Sequence, residues 1–272
     1  MLLNHARSLL FLPASNARAI AKARSLGCDM VLFDLEDAVP DDKKAEARDG
    51  ARTAMAEGGF GKRLLALRVN TADTPWHGDD CALARDLAVD YVVLPKAESP
   101  ADVASVADST GKPVIAMIES PAAVFAAQAI AATPATAALF VGVNDLRRDL
   151  NIPATASRAS VSVTLQTIVL AARAAGKAVF DGVYNRLDDP EGFEAECREG
   201  RMLGFDGKTL IHPNQVDATN RLFAPDAAEL DRARRLVEAA TGGAERFEGE
   251  MIETMHVEAA RALLDRAASS VG

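Results

Sequence analysis

The sequence is poor in the residues that make disulfide, thiol or zinc chemistry. It has three cysteines, Cys28, Cys81 and Cys197, far apart and with no CxxC pair, and only four histidines. That spacing excludes a disulfide scaffold and fits inert thiols in a reducing, cytoplasmic compartment. A basic run is also missing: 30 Lys and Arg stand against 39 Asp and Glu, for a net charge of −9. An acidic chain without a basic patch is a poor partner for nucleic acid or an anionic membrane. Neither GxGxxG nor a Walker loop occurs, which argues against a nucleotide-binding doubly wound sheet. No repeat, low-complexity tract or composition shift marks a second globular domain. The opening MLLNHARSLLFLP is too short and too quickly charged for a signal peptide. Residues 120–144 carry no charge over 25 positions, enough for a membrane span, but Pro121, Gln128 and Pro134 interrupt them and alanine dominates. They read instead as a buried helix, a turn at Thr133-Pro134 and a strand.

What the chain does have is regular alternation. Hydrophobic residues make up 49% and charged residues 25%, an ordinary globular balance. Near-continuous apolar runs fall at 8–12, 30–35, 64–69, 91–94, 114–118, 138–141, 178–182 and 209–211. Runs without strict alternation are the pattern of parallel strands buried on both faces. Alanine-rich amphipathic stretches lie between them, at 16–26, 42–57, 79–88, 101–109, 122–132, 156–175 and 191–203. Unbroken strand–helix alternation predicts an α/β fold with a parallel sheet, and eight strands predict a closed (β/α)8 TIM barrel. The barrel is expected over residues 1–225. A C-terminal helical extension or lid is expected over 226–272, with helices at 226–240 and 258–268.

In such a barrel the chemistry gathers at the C-terminal strand ends. The polar residues there are Asp34, Glu36 and Asp37, Arg68 and Asn70, Lys96, Glu119, Asn144 and Asp145, Asp181 and His212. Several carboxylates at one apolar mouth do not all stay ionised without a cation. With no Cys/His cluster the donors are oxygens, which favours Mg²⁺ over Zn²⁺. A hard cation beside a lone arginine suits a substrate carboxylate next to a carbonyl or hydroxyl, the arrangement of metal-assisted aldol chemistry. A Schiff-base aldolase would instead use a strand-end lysine, Lys96 or Lys208. Lys44 and Arg48 form an i,i+4 pair that is either a solvated helix face or a contact for a phosphate. Trp76, the single tryptophan, is either a loop anchor or a lid, and His212 before Pro213 reads as a cap.

These residues resemble a known family. RSLLFLP (7–13), DLEDAV (34–39), RVN (68–70), LPK (94–96), IES (118–120), GVNDL (142–146), GFDGKTLIHPNQ (204–215) and FEGEMIE (247–253) occur in the order found in citrate lyase β-subunit-like proteins. Those proteins belong to the HpcH/HpaI aldolase superfamily. The resemblance spans nearly the whole chain. It implies a Mg²⁺-dependent TIM barrel that cleaves a 3-hydroxyacyl-CoA-type thioester, citryl, malyl or citramalyl, to an acyl-CoA and a 2-oxo acid. Carried over by motif, Glu119 and Asp145 are the metal ligands and Arg68 holds the oxo-acid carboxylate. Glu36 and Asp37 are the acidic pair near the metal, and Lys44 and Arg48 are the candidate thioester contacts. Glu253 stands where the family usually has Asp, on a tail expected to reach a neighbouring subunit. Asn144 stands where many relatives carry Glu. The resemblance also implies a homo-oligomer, trimer or hexamer. Two alternatives accompany the lyase reading: a hydrolase of the same thioesters, and a silent subunit that depends on a carrier partner.

Overall fold

The computed structural model describes residues 2–269. Eight parallel strands close into a barrel in chain order: β1 (Ser8–Pro13), β2 (Met30–Asp34), β3 (Leu64–Arg68), β4 (Tyr91–Leu94), β5 (Val114–Ile118), β6 (Thr136–Val141), β7 (Ala178–Asp181) and β8 (Gly207–Leu210). One parity of each strand points inward. Leu9, Met30, Leu32, Ala66, Ile115, Met117, Phe140 and Phe180 fill the barrel with a single apolar cluster. The opposite parity packs under the helices, which is why the strands read as unbroken apolar runs. Closure depends on Gly207: a Cβ there would come within 2.3 Å of the Arg7 carbonyl oxygen, so only glycine lets β8 approach β1.

The wall helices are α1 (Ala17–Ala23), α2 (Lys44–Glu57), α3 (His77–Asp86), α4 (Pro100–Thr110), α5 (Pro121–Ala132), α6 (Val143–Asp149), α7 (Ser162–Ala174) and α8 (Pro190–Leu203), followed by α9 (Val216–Leu222). Side-chain caps start several of them. Asn16 accepts from Ala19 N–H, Ser120 from Ala123 N–H, and Ser99 forms a reciprocal box with Asp102. The uncharged stretch is α5 and β6, as its proline and alanine content suggested. No helix among the described residues is long and apolar enough to cross a membrane.

Several elements differ from expectation, by a few residues at most of their ends and more in three places. The stretch 156–175 is split into a 3-10 turn (Arg158–Val161) and α7, because Arg158 is drawn into ion pairs with Asp181 and Glu196. The short helix α6 has too few residues to show a period. β8 begins at Gly207, two residues before the apolar run, and takes in Lys208. The Lys208 ammonium is fully buried and paired with Asp181 at 2.9 Å and Glu196 at 2.7 Å, so its charge is tolerated inside a strand.

The chain divides into two compact units, Met1–Arg221 and Leu222–Gly272, where the sequence placed the boundary after residue 225. The second unit has α10 (Ala227–Ala239), a hairpin of β9 (Glu245–Phe247) and β10 (Glu250–Ile252), and α11 (Thr254–Ser269). The hairpin turns through Glu248 and Gly249, both with positive φ, as a tight two-residue turn requires. Arg232 and Arg235 of α10 bind Glu250 and Glu248 across it. Ile252, on the tail expected to reach a neighbouring subunit, is buried in its own unit with Ala233, Leu236 and Ala260.

Candidate active site

The strand parity that fills the barrel carries on to its mouth. Asp34 follows Met30 and Leu32 in the inward register, Arg68 follows Leu64 and Ala66, and Glu119 follows Ile115 and Met117. Each strand thus ends its apolar run in a charged side chain aimed at one point. These three, with Asp37, Asn144 and Asp145, line a cavity of about 290 Å³ walled by Phe11, Met117 and Val141.

Arg68 is the organising cation. Its Nε and Nη2 donate to Asp34 Oδ1 and Oδ2 at 2.7 and 2.6 Å, a two-pronged pair. The guanidinium lies over the Phe11 ring, 4.8 Å from its centre. Burial works against the charge, but Asp34, then Glu36 and Asp37, outweigh it and push the pKa above the ordinary arginine value. Asp34 also accepts from the backbone N–H of Glu36 and Ala38, at 2.9 and 3.1 Å, and so shapes the loop that carries the next two acids. The bidentate partner of Arg68 is Asp34, one of the strand-end acids but not among the expected site residues. Its inward parity is the signal that finds it.

Arg68 Nη1 lies 2.9 Å from Glu36 Oε2, but out of line for a hydrogen bond, so this buried oxygen has no hydrogen-bond donor among the described residues. Burial raises the Glu36 pKa above the usual carboxylate range, with Arg68 opposing and Asp37 and Asp34 reinforcing. Glu119 goes further. Burial, together with the charges of Glu36 and Asp145, pushes it up to about 7 against the Lys96 N–H and Arg68. The Lys96 backbone adopts φ 48°, a left-handed conformation, and its N–H reaches Glu119 Oε1 at 2.7 Å. Asp145, in the first turn of α6, pairs with Arg148 at 2.5 Å. Asn144 beside it exchanges amide hydrogen bonds with Asn185 of the β7–α8 loop, the shorter at 2.7 Å.

Glu119 and Asp145 face one cavity and repel each other, and the donors on offer are carboxylate oxygens. No group of three or more His, Cys, Asp or Glu side chains is arranged as a metal cage among the described residues. Two carboxylates with the remaining positions left to water or substrate are what Mg²⁺ accepts and what a structural zinc site does not.

The remaining expected residues lie elsewhere. Lys44 is buried, and its three ammonium hydrogens meet Leu35 O, Glu36 O and Asn70 Oδ1 at 2.9, 2.9 and 2.7 Å, with Trp76 stacked 5.0 Å away. In this arrangement it braces the β2–α2 loop and offers no donor to a phosphate. Trp76 is its cover rather than a lid. Arg48 binds Asp80 at 3.0 Å, and Asp80 in turn accepts from the Asn70 side chain. Lys208 is outside the mouth, and its pKa is raised: burial lowers it, but Asp181 and Glu196 prevail. A Schiff-base amine needs the opposite. His212 caps the turn after β8 through Asn214 N–H. Glu253 is exposed in the second unit, where its N–H donates to His256 Nδ1 at 2.9 Å and starts α11 four residues earlier than expected.

Comparison with known proteins adds four findings. A family model described as HpcH/HpaI aldolase/citrate lyase matches residues 7–213. The chain is 40% identical over 269 residues to a (3S)-malyl-CoA thioesterase of Cereibacter sphaeroides, covering 96% of this chain and 94% of that one. Among solved structures it is similar to the CitE protein of Mycobacterium tuberculosis in complex with magnesium, acetoacetate and coenzyme A, with TM-score 0.84, 32% identity, and 98% and 100% of the two chains covered. It is also similar to the citrate lyase β subunit from M. tuberculosis complexed with oxaloacetate and magnesium, with TM-score 0.74, 32% identity, and 83% and 100% covered.

Proposed function

The chain belongs to the HpcH/HpaI aldolase/citrate lyase family, and from that premise we propose that its barrel mouth is a Mg²⁺-dependent site that cleaves a coenzyme A-type thioester of a 3-hydroxy acid to an acyl-CoA and a 2-oxo acid. The observation that carries the reading is the meeting of Glu119, Asp145 and Arg68 around a cavity sized for a small organic acid. Relatives bound to magnesium, coenzyme A and oxo acids support it.

In this reading Glu119 and Asp145 hold Mg²⁺, which when bound supplies a Lewis acid for the oxygens of the substrate acid. Arg68, fixed by Asp34, turns its Nη1 edge to the carboxylate of the oxo-acid half. Glu36 is the acid that yields this edge, because burial already drives it towards the neutral form. Asp37, at the exposed side of the cavity, takes the proton of the 3-hydroxyl as the C2–C3 bond breaks. The electron pair of that bond passes to C2 of the thioester half, and a proton delivered there completes the acyl-CoA. Phe11, Met117 and Val141 keep water from that carbon. The chain works as a homo-oligomer in which Glu253 of a neighbouring copy delivers this proton.

The 40% identity to a (3S)-malyl-CoA thioesterase favours a second reading, in which the same residues direct water to the thioester carbonyl. Product analysis separates the two. Purified protein with Mg²⁺ and malyl-CoA yields acetyl-CoA and glyoxylate if it is a lyase, and free coenzyme A with malate if it is a hydrolase. No product of either kind from malyl-, citramalyl- or citryl-CoA overturns both.

A further inference from the structure

Very little holds Glu119 in place. The residue is buried, yet among the described residues its carboxylate has no ion pair and accepts one hydrogen bond, from the Lys96 backbone N–H to Oε1 at 2.7 Å. Its other oxygen faces Gly142, which has no side chain to offer.

The Lys96 N–H is free for this bond because the chain leaves the register of the sheet. In a parallel ladder, alternate residues of one strand donate to alternate carbonyls of the next. Val92 N–H donates to Pro113 O at 3.1 Å, and β4 and β5 stay in step as far as Leu94 and Ala116. In that register the N–H of residue 96 would meet Met117 O. It is Ala97 instead whose N–H takes Met117 O, at 3.3 Å. One extra residue has entered on the β4 side, a bulge of the kind that re-aims groups beside active sites.

The extra residue has the backbone to match. Glu248 and Asn151 share a positive φ with Lys96, but they lie in the tail hairpin and in the turn after α6. Asn supports the left-handed region with its short polar side chain, whereas lysine has no such local bond. The conformation of Lys96 is therefore imposed by its surroundings, as strained backbone at functional sites is. The Lys96 side chain is exposed, its charge acts on exposed Asp73, and it makes no hydrogen bond or ion pair among the described residues.

We propose that the bulge at Lys96 is a backbone device that sets Glu119 for the metal. Lys96 is a positioning residue that acts through its N–H and its left-handed φ, and not through its ammonium. The bond engages one lone pair of the carboxylate and leaves the others for a cation. The proposal rests on the reading of Glu119 as a Mg²⁺ ligand. Backbone and side chain are separable here. Alanine meets the same left-handed φ as lysine without the ammonium, glycine meets it freely, and a β-branched residue resists it.

The test is the Mg²⁺ affinity of the full chain by calorimetric titration. The proteins are the wild type, Glu119→Gln, Lys96→Ala, Lys96→Gly and Lys96→Val, each shown by circular dichroism to be folded at the temperature used. Lys96→Thr, also β-branched, takes the place of Lys96→Val should that variant not fold. Lys96→Ala and Lys96→Gly are expected to keep the wild-type affinity. Lys96→Val and Glu119→Gln are expected to bind Mg²⁺ on the order of 10-fold to 100-fold more weakly, as loss of a ligand or of its support does. A residue that only stabilises the loop would change the melting temperature and not the affinity of the folded chain. A folded β-branched variant with wild-type affinity, or a weakened Lys96→Ala or Lys96→Gly, overturns the proposal and leaves the Mg²⁺ reading standing. A wild type that does not bind Mg²⁺, or undiminished binding by Glu119→Gln, overturns that reading and the proposal with it.

Discussion

Gly142 lies directly against the side chain of Glu119: a Cβ on Gly142 would come within 2.3 Å of both Glu119 Cβ and Oε2. The φ of Gly142, −92°, is open to any residue, so what this position requires is space for the carboxylate and not backbone freedom. Gly142→Ala is expected to push Glu119 from its place, lower stability by about 1–3 kcal/mol as an overpacked core does, and weaken Mg²⁺ binding at least tenfold. Calorimetric titration beside a urea melt checks both. Unchanged Mg²⁺ affinity would show that the position of Glu119 does not matter to the ion.

Arg68 has a double duty that the sequence did not suggest. It was legible as a substrate clamp, but its fork is engaged by Asp34 and its third nitrogen faces Glu36. Removing it leaves buried acids without their cation, so Arg68→Met is expected to cost about 3–5 kcal/mol. Arg68→Lys keeps a charge but not the planar fork, and is expected to retain the fold at lower stability with most turnover lost. A Lys variant with normal kcat/KM would defeat the clamp.

Lys44 distinguishes a brace from a phosphate contact. Lys44→Met takes a donor from three acceptors: Leu35 O keeps Asn70 Nδ2 and Glu36 O keeps the Val39 N–H, but buried Asn70 Oδ1 loses the ammonium it accepts from, at about 1–3 kcal/mol for an unsatisfied group. The expected outcome is a lower melting temperature, an altered Trp76 emission as its stacked cation is lost, and a fall in kcat. A variant of wild-type stability that only raises KM for the thioester would return Lys44 to the phosphate.

The buried network under α8 gives the fold a pH-dependent share of its stability. Burial opposes the Asp181 charge, but Lys208 and Arg158 overcome it and hold its pKa below the ordinary carboxylate range. A depressed folded-state pKa gives stability that is present above about pH 4, the unfolded value, and is lost as pH falls through the folded one. Lys208 is shifted up, so its share is complete below about pH 10.4 and is lost only as pH rises through its folded value. Asp181→Asn is expected to be less stable at neutral pH and to show a shallower acid limb in urea melts from pH 7 to pH 3. An acid limb as steep as the wild type would remove Asp181 from the network.

The barrel was legible because parallel strands buried on both faces leave apolar runs that need no partner to be seen. Glu119, Asp145, Asp37 and Arg68 were legible because strand ends converge in a closed barrel. What escaped reading depends on three-dimensional pairing. Lys208 breaks an apolar run yet is buried in β8, since Asp181 and Glu196 neutralise it from residues that are distant in sequence. Asp34 looked like one acid among three until register with Arg68 singled it out. Asn185, in a loop, carries no signal apart from its bond to Asn144. The tail hairpin was missed because its strands are three residues each, too short to show alternation.

The central claim is that Glu119 and Asp145 together form a Mg²⁺ site at the barrel mouth. Titration of Mg²⁺ into the wild type, Glu119→Gln and Asp145→Asn by calorimetry at one pH tests it most directly. Each substitution removes an anionic oxygen from a hard-cation site, so each variant is expected to bind Mg²⁺ at least tenfold more weakly while melting within a few degrees of the wild type. Wild-type affinity in both variants would contradict the assignment.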